Sequence, residues 1–297
     1  MVEKKNIIKI SEEELKKIIG ESIKENILSF NGKILKEGVY YDDNLNKFVF
    51  NFENDNKTDI ISLKKVGYKI SAFNQCYYYG YQFEDTVDSL IRSSFIKSIK
   101  FPDNKITEKD KKTFIVNAIN KLDSDISLPS YKIIVYPESM SEINRDMLKY
   151  LNRFTAPDVI SMEMIKQLPK NIEFDYKRFK IEVLDVMLEN GRPRYSEKQK
   201  MNVLDNIREM MSSIKNLQYF SIAKDVKKLK YRQYIKNYYI FKNDEDKALF
   251  ESIQNSNVLV IDDIATSGTT ISHLLNSLRS VNDNNKIVIF SLIGKNI

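Results

Sequence analysis

Three short, mainly apolar runs stand out along the chain, at 132–136, 258–261 and 287–290. A continuous apolar run of this length, bounded by turn-forming residues, is typical of a strand buried on both faces of a parallel sheet. Apolar residues at helical spacing lie between the second and third runs, which predicts a strand–helix–strand unit. These helical positions are Ile271, Leu274, Leu275 and Leu278.

The first 128 residues show a different pattern. A capping box and apolar residues at helical spacing predict an amphipathic helix over 11–28. From 38 to 81, β-rich runs alternate with Asp- and Asn-rich turns, which predicts a small antiparallel meander. Residues 84–122 return to helical spacing, and Pro102 and Asn104 divide them into two helices.

These patterns predict an α/β protein with two parts. Residues 129–297 are expected to form a parallel sheet flanked by helices, with a helix after Pro137 from about 141 to 153. A polar, helix-forming stretch at about 170–217 is interpreted as a helical insertion. Residues 1–128 are expected to form an α+β region whose role the sequence does not indicate.

Composition narrows the classes of function. No apolar run is long enough to span a bilayer, and the N-terminus lacks the apolar stretch of a signal peptide, so we expect a soluble, cytoplasmic protein without a membrane partner. The single Cys76 and single His273 cannot form the usual Cys/His zinc site. The net charge of +6 suits anionic partners, either phosphorylated metabolites or nucleic acid.

Two adjacent carboxylates follow the buried strand at 258–261. Asp262 and Asp263 are expected at its carboxyl end, where ligands bind in open α/β sheets. Because neighbouring carboxylates repel each other, this placement indicates that hydroxyls or a cation engage them. The structural alternative is that both side chains only cap a turn.

A hydroxyl-rich turn comes next, from Thr266 to Thr270. Gly268 permits a tight turn, and the first amides of the following helix have no partner within the helix, so the segment can hold a phosphate. The turn lacks the lysine that a P-loop requires. An acidic pair beside a phosphate cradle is chemically suited to a ribose 5-phosphate.

The stretch Val258–Thr270 resembles the thirteen-residue signature of type I phosphoribosyltransferases. This resemblance implies that Asp262 and Asp263 bind the ribose hydroxyls of phosphoribosyl pyrophosphate, act in catalysis and hold Mg²⁺ directly or through water. It further implies that the loop after the pair binds the ribose phosphate. The implied loop residues are Ala265, Thr266, Ser267, Gly268, Thr269 and Thr270.

A second resemblance concerns the pyrophosphate side of the same site. The family binds pyrophosphate in a loop after an earlier strand, and Pro137, Glu138 and Ser139 occupy the matching place. The stretch 143–148 resembles an element of the competence-protein-F-like subgroup. Here the loop is short and carries an acidic residue, which repels pyrophosphate unless it turns away or helps to hold Mg²⁺.

The N-terminal helix resembles those opening many proteins of phages that infect gut Bacteroidetes.

The segment 224–241 precedes the signature strand, where the family carries a mobile hood. Its cations, among them Lys228 and Arg232, are candidates for stabilising a departing pyrophosphate. The structural alternative is that these cations form a solvated basic face. Basic residues interleaved with tyrosines are equally typical of a segment that binds a nucleic-acid strand. His273 lies off the apolar stripe of its helix and is expected to be solvated, without a role.

The resulting hypothesis is transfer of a 5-phosphoribosyl group from phosphoribosyl pyrophosphate to an unidentified acceptor, with Mg²⁺ as cofactor and release of pyrophosphate. Two alternatives remain open. One is a non-catalytic regulator that uses the same pocket, and the other is a phage-related structural or nucleic-acid-binding protein. A homo-oligomer is compatible with all three.

Overall fold

The structure is a computed structural model that describes residues 34–35, 39–42, 45–50, 66–70, 73–83, 88–139, 141–265 and 268–294. The helix predicted at 11–28 lies outside these residues. The chain divides into two compact units. One unit comprises residues 1–62 and 81–112, and the other comprises residues 63–80 and 113–297.

Strands and helices are numbered in chain order. The strands are β1 (Ile34–Leu35), β2 (Val39–Asp42), β3 (Lys47–Phe50), β4 (Val66–Ile70), β5 (Phe73–Gln82), β6 (Ile133–Pro137), β7 (Ile160–Lys166), β8 (Glu173–Phe174), β9 (Ile235–Lys236), β10 (Tyr239–Phe241), β11 (Asn257–Ile264) and β12 (Lys286–Gly294). The helices are α1 (Ser89–Lys100), α2 (Glu108–Ile126), α3 (Ile143–Leu151), α4 (Tyr176–Phe179), α5 (Glu197–Lys215), α6 (Ile222–Asp225), α7 (Leu229–Arg232), α8 (Asp244–Ser252) and α9 (Thr269–Val281).

In the first unit, β1, β2 and β3 form an antiparallel sheet. Asp88 caps α1 by accepting a hydrogen bond from the amide of Leu90 at 2.7 Å. Phe48 and Phe95 are buried, and their ring centroids lie 4.9 Å apart in an edge-to-face arrangement. The prediction of two helices separated near Pro102 is confirmed by α1 and α2.

The second unit is built on a seven-stranded sheet with the order β10-β7-β6-β11-β12-β5-β4. Its four central strands, from β7 to β12 in this order, are parallel, and β10 pairs antiparallel to β7 at one edge. The apolar positions of β6, β11 and β12 are buried, as expected for strands covered on both faces. The predicted α/β class, with a mostly parallel sheet flanked by helices, is confirmed.

The predicted single meander over 38–81 is wrong. β4 and β5 form an antiparallel hairpin, but they belong to the seven-stranded sheet, next to β12. The reason is burial: Tyr77 is 1% exposed, and its hydroxyl lies 2.6 Å from the Ser291 hydroxyl of β12. Gly80 allows close packing, because an added Cβ would lie 2.6 Å from the Cβ of Ala118. Tyr77 therefore packs in the core of the seven-stranded sheet.

The stretch predicted as a helical insertion contains α4, a π-helical turn at Lys180–Leu184 and α5. A capping box between Ser196 and Gln199 begins α5. The sequence did not predict β8, which pairs antiparallel with β9. Phe179 packs edge to face against Tyr231 and Tyr234, which attaches this region to the segment before β11.

The domain boundary placed after residue 128 stays a prediction, and the seven-stranded sheet takes strands from both sides of it. Among the described residues, no helix has the length and apolar character needed to cross a membrane.

Candidate functional site

The acidic pair lies at the carboxyl end of β11, between β6 and β12. Asp262 and Asp263 are 4% and 5% exposed, so the strand brings both carboxylates into a largely desolvated position. Oδ1 of Asp262 accepts a hydrogen bond from the amide of Asp263 at 3.0 Å. Burial of two carboxylates is costly unless hydrogen bonds or cations compensate it, so this end of the strand is suited to polar ligands.

Gly268 forms the start of α9. Its φ of 66° is in the left-handed region, which glycine adopts without the steric penalty of a side chain. Its carbonyl accepts the amide of Ser272 at 2.8 Å, so the helix is regular from its first turn. The amides of Thr269 and Thr270 belong to this first turn, where no carbonyl within the helix accepts them. Thr266 and Ser267 lie outside the described residues.

A cavity of about 170 Å³ lies between this helix start and the carboxyl end of β11, and we call it the Asp262 cavity. It brings together five of the predicted ribose-phosphate residues. These are Asp262, Ala265, Gly268, Thr269 and Thr270. Its other walls come from Lys166, Ser221 to Ala223, Tyr238, Tyr239 and Ile264. The described part of the predicted phosphate cradle and one of the two carboxylates therefore share a single cavity.

Asp263 has different surroundings. It is not among the described residues that line the Asp262 cavity. Its Oδ2 accepts a hydrogen bond from the Ser141 hydroxyl at 3.1 Å, and the Ser139 hydroxyl lies 3.5 Å away. Successive side chains of a strand point to opposite faces, which separates the two carboxylates. The structure thus connects Asp263 to the turn after β6.

This turn contains the predicted pyrophosphate residues. Pro137 is buried at the end of β6, and its carbonyl accepts a hydrogen bond from the side chain of Asn144 at 3.1 Å. The Glu138 side chain is exposed, while its amide donates to the carbonyl of Met164 at 2.7 Å. Ser139 lies near Asp263, and none of Pro137, Glu138 and Ser139 is among the described residues lining the Asp262 cavity.

The two cations predicted on the pyrophosphate side do not line the Asp262 cavity either, as far as the described residues show. The guanidinium of Arg232 donates to the carbonyls of Val226 and Ala223, at 2.9 and 2.7 Å. It therefore holds the backbone of the segment between α6 and α7. The ammonium of the exposed Lys228 lies 5.3 Å from the ring centroid of Tyr231.

The tyrosines at 231, 234, 238 and 239 are all buried, with exposures of 4% or less. They pack against neighbouring rings, for example Tyr238 against Phe220 at 5.4 Å. Buried rings cannot stack on the bases of a nucleic-acid strand, so the aromatic part of that interpretation of 224–241 is wrong.

Sequence reasoning missed Lys166 and Tyr239, which face each other in the register of β7 and β10. Lys166 supplies a cation to the Asp262 cavity. The hydroxyl of Tyr239 is hydrogen-bonded to that of Thr270, and its pKa is raised well above the usual value, first by burial and then by Tyr238 and Asp262. Tyr239 therefore stays protonated. The alternation of apolar residues at Ile160, Met162 and Met164 could have predicted β7 from the sequence.

His273 is buried, which corrects the expectation that it is solvated. It is 2% exposed, and its ring lies 5.4 Å from that of Tyr238. Burial lowers the pKa of His273 to about 4, opposed by a hydrogen bond to the backbone of Arg232. The imidazole is therefore neutral at pH 7. The face of α9 that is polar in sequence is covered by the segment before β11.

The prediction of bound Mg²⁺ depends on two carboxylates, those of Asp262 and Asp263. Among the described residues, no group of three or more His, Cys, Asp or Glu side chains could hold a metal ion. Mg²⁺ commonly binds through one or two carboxylates together with substrate phosphates and water. Asp262 and Asp263 supply carboxylates of the kind that this mode of binding uses.

No protein-family model matches the sequence, and no curated protein matches it. A solved structure of a hypoxanthine phosphoribosyltransferase from Staphylococcus aureus is similar to the fold, with a TM-score of 0.33 and 13% sequence identity. The similarity covers 67% of this chain and 71% of that one. A similarity this weak assigns neither a family nor an activity to the chain.

Proposed function

We propose that the chain binds phosphoribosyl pyrophosphate with Mg²⁺ at the Asp262 cavity and transfers its 5-phosphoribosyl group to an acceptor. The observation that carries this proposal is the convergence of the Asp262 carboxylate with the first turn of α9 in one cavity. A carboxylate accepts hydrogen bonds from ribose hydroxyls, while amides at a helix start bind phosphate. The two ends of a ribose 5-phosphate need these two kinds of group.

The proposed residue roles follow from the contacts. Asp262 binds the ribose hydroxyls, and Gly268, Thr269 and Thr270 bind the 5-phosphate. Lys166 supports the proposal by adding positive charge to the same walls. Asp263, which accepts a hydrogen bond from Ser141, is proposed to position the loop after β6 and to share Mg²⁺ with the ligand.

In the proposed reaction, the bond between ribose C1 and pyrophosphate breaks, and pyrophosphate leaves with the electron pair. Positive charge develops on the ribose ring, and an acceptor atom, typically nitrogen, then bonds to C1 through its lone pair. Mg²⁺ would neutralise the leaving group. The contribution of this chain is to hold both ends of the ribose while C1 reacts.

Binding is tested by titrating phosphoribosyl pyrophosphate and Mg²⁺ into the wild type and the Asp262→Asn/Asp263→Asn double variant by calorimetry. We expect binding by the wild type and a loss of at least tenfold in the variant. Asp158→Asn, on an exposed loop and paired with Lys132 at 3.7 Å, is the matched control and should bind normally. Absence of binding by the wild type would refute the proposal.

A binding protein without turnover is the second candidate. It is favoured by the use of Arg232 to hold backbone carbonyls and by the exposure of Glu138, which leave the pyrophosphate side with few of the predicted contacts. Pyrophosphate release, measured with a panel of bases and amines, separates the two candidates. Release above the rate of the double variant identifies an enzyme, and binding without release identifies a regulator.

A further inference from the structure

A second and larger cavity lies beside the edge strand β10. Its volume is about 600 Å³, which is within the range of about 300–1,000 Å³ typical of small-molecule sites. β9, β10, the start of α8 and one face of α9 contribute to its walls. Because His273 is among the lining residues, we call it the His273 cavity. Some residues line this cavity but not the Asp262 cavity, and none of them has a role in the proposed phosphoribosyl transfer.

The buried imidazole indicates what the cavity recognises. Among the described residues, Nε2 of His273 is a buried atom without a hydrogen-bond partner. A neutral imidazole has one donor and one acceptor nitrogen. Nε2 is therefore a ring nitrogen that a polar group of a ligand can satisfy.

The other polar groups at the cavity are mostly amides and hydroxyls. Asn276 lies on the same face of α9, three residues after His273 and half-buried. Asn237 lies in the turn between β9 and β10, and Ser280 lies near the end of α9. Amide side chains offer both donors and acceptors, which suits the edge of a nitrogen heterocycle and the hydroxyls attached to it.

The charges on the walls argue against an anion as the ligand. The Nε of Arg178 is 2.7 Å from a carboxylate oxygen of Glu182, and the ammonium of Lys236 is 2.9 Å from one of Asp175. These two cations therefore have carboxylate partners. Lys247 and Asp244 bring one further charge of each sign to the walls.

We propose that the His273 cavity binds a neutral nitrogen heterocycle of nucleoside size, with a polar group of the ligand hydrogen-bonded to Nε2 of His273 and the Asn276 amide pairing beside it. Tyr238 and Tyr239 line this cavity and also the Asp262 cavity. Because these two residues line both cavities, the occupant of the His273 cavity is proposed as an effector and not as the reacting acceptor.

The test uses adenosine, inosine and uridine as probes, without phosphoribosyl pyrophosphate or Mg²⁺, and measures affinity by saturation-transfer NMR and calorimetry. Wild-type protein should bind at least one nucleoside. Asn276→Leu fills part of the cavity from a half-buried position that tolerates substitution, and His273→Phe keeps a ring but removes Nε2. We expect each change to weaken binding about tenfold. Ser272→Ala, on the same helix and outside the lining, should bind normally.

Three results would overturn the proposal. The first is that the wild type binds none of the probes. The second is that Asn276→Leu and His273→Phe, both checked for folding by circular dichroism, bind as the wild type does. The third is that adenosine 5′-monophosphate binds more than tenfold tighter than adenosine, since the site would then recognise an anion. Asp262→Asn should leave nucleoside binding unchanged, which keeps this result independent of the proposed transfer.

Discussion

The titration of His273 can be predicted with a sign and a magnitude. In the folded chain its pKa is about 4, against an ordinary value of 6.5, because burial disfavours the charged imidazolium. As the pH falls from 6.5 towards 4, the unfolded chain takes up a proton that the folded chain does not. The stability contributed by the neutral ring is therefore fully present above pH 6.5 and is lost as the pH falls to about 4.

The size of this effect follows from the two pKa values. One pH unit corresponds to about 1.36 kcal/mol, so the free energy of unfolding should fall by about 3 kcal/mol through this group alone. Carboxylates also titrate near pH 4 and change the stability of both proteins. Because His273→Phe keeps the same carboxylates, the difference between the wild type and this variant isolates the contribution of His273. Urea unfolding followed by circular dichroism at pH 7.5 and 4.5 should show the wild type losing about 2.5 kcal/mol more than the variant.

A direct assay is available because the chain has a single histidine. The proton NMR signal of the imidazole ring therefore needs no assignment by mutation. Its chemical shift should change with a midpoint near pH 4 in the folded protein. A midpoint near 6.5 in folded protein, or equal pH dependence of stability in the wild type and His273→Phe, would refute the assignment of a buried, neutral ring.

Three further substitutions have expected outcomes. Gly80→Ala places a Cβ 2.6 Å from that of Ala118 and should lower the unfolding free energy by about 1–3 kcal/mol in urea titrations, whereas an unchanged midpoint contradicts the close packing. Asn282→Ala removes an amide that donates to three carbonyls, including one at 2.6 Å, and should cost about 1–3 kcal/mol in the same assay. Tyr239→Phe removes the hydroxyl bonded to Thr270 and should raise the Kd for phosphoribosyl pyrophosphate about fivefold without altering the circular dichroism spectrum.

The central strands were predictable because their pattern is local. Runs such as 133–136 and 258–261 are apolar without interruption, and burial on both faces of a parallel sheet is the usual reason for such a run. The edge strand β10 and its neighbour β7 were harder to predict. β10 has three residues, and β7 shows only a weak alternation of buried and half-buried positions.

The site was predictable only in its continuous part. Asp262 and the first turn of α9 are close in sequence, so their meeting at one cavity follows from the strand, turn and helix between them. Asp263 and Ser141 are 122 positions apart in the sequence, so no local pattern predicts their contact. His273 was misplaced for a similar reason. A helical wheel shows the apolar stripe of α9 but not the chain segment that covers its polar side.

Tyr238 and Tyr239 line both cavities, so we expect the ligands proposed for the two cavities to affect each other's binding. Through its hydroxyl Tyr239 bonds to Thr270, and through its carbonyl it accepts the hydroxyl of Ser277 at 2.6 Å. A displacement of this residue by an occupant of either cavity therefore reaches groups that line the other. The coupling free energy between two such occupants is reciprocal, so each changes the dissociation constant of the other by the same factor.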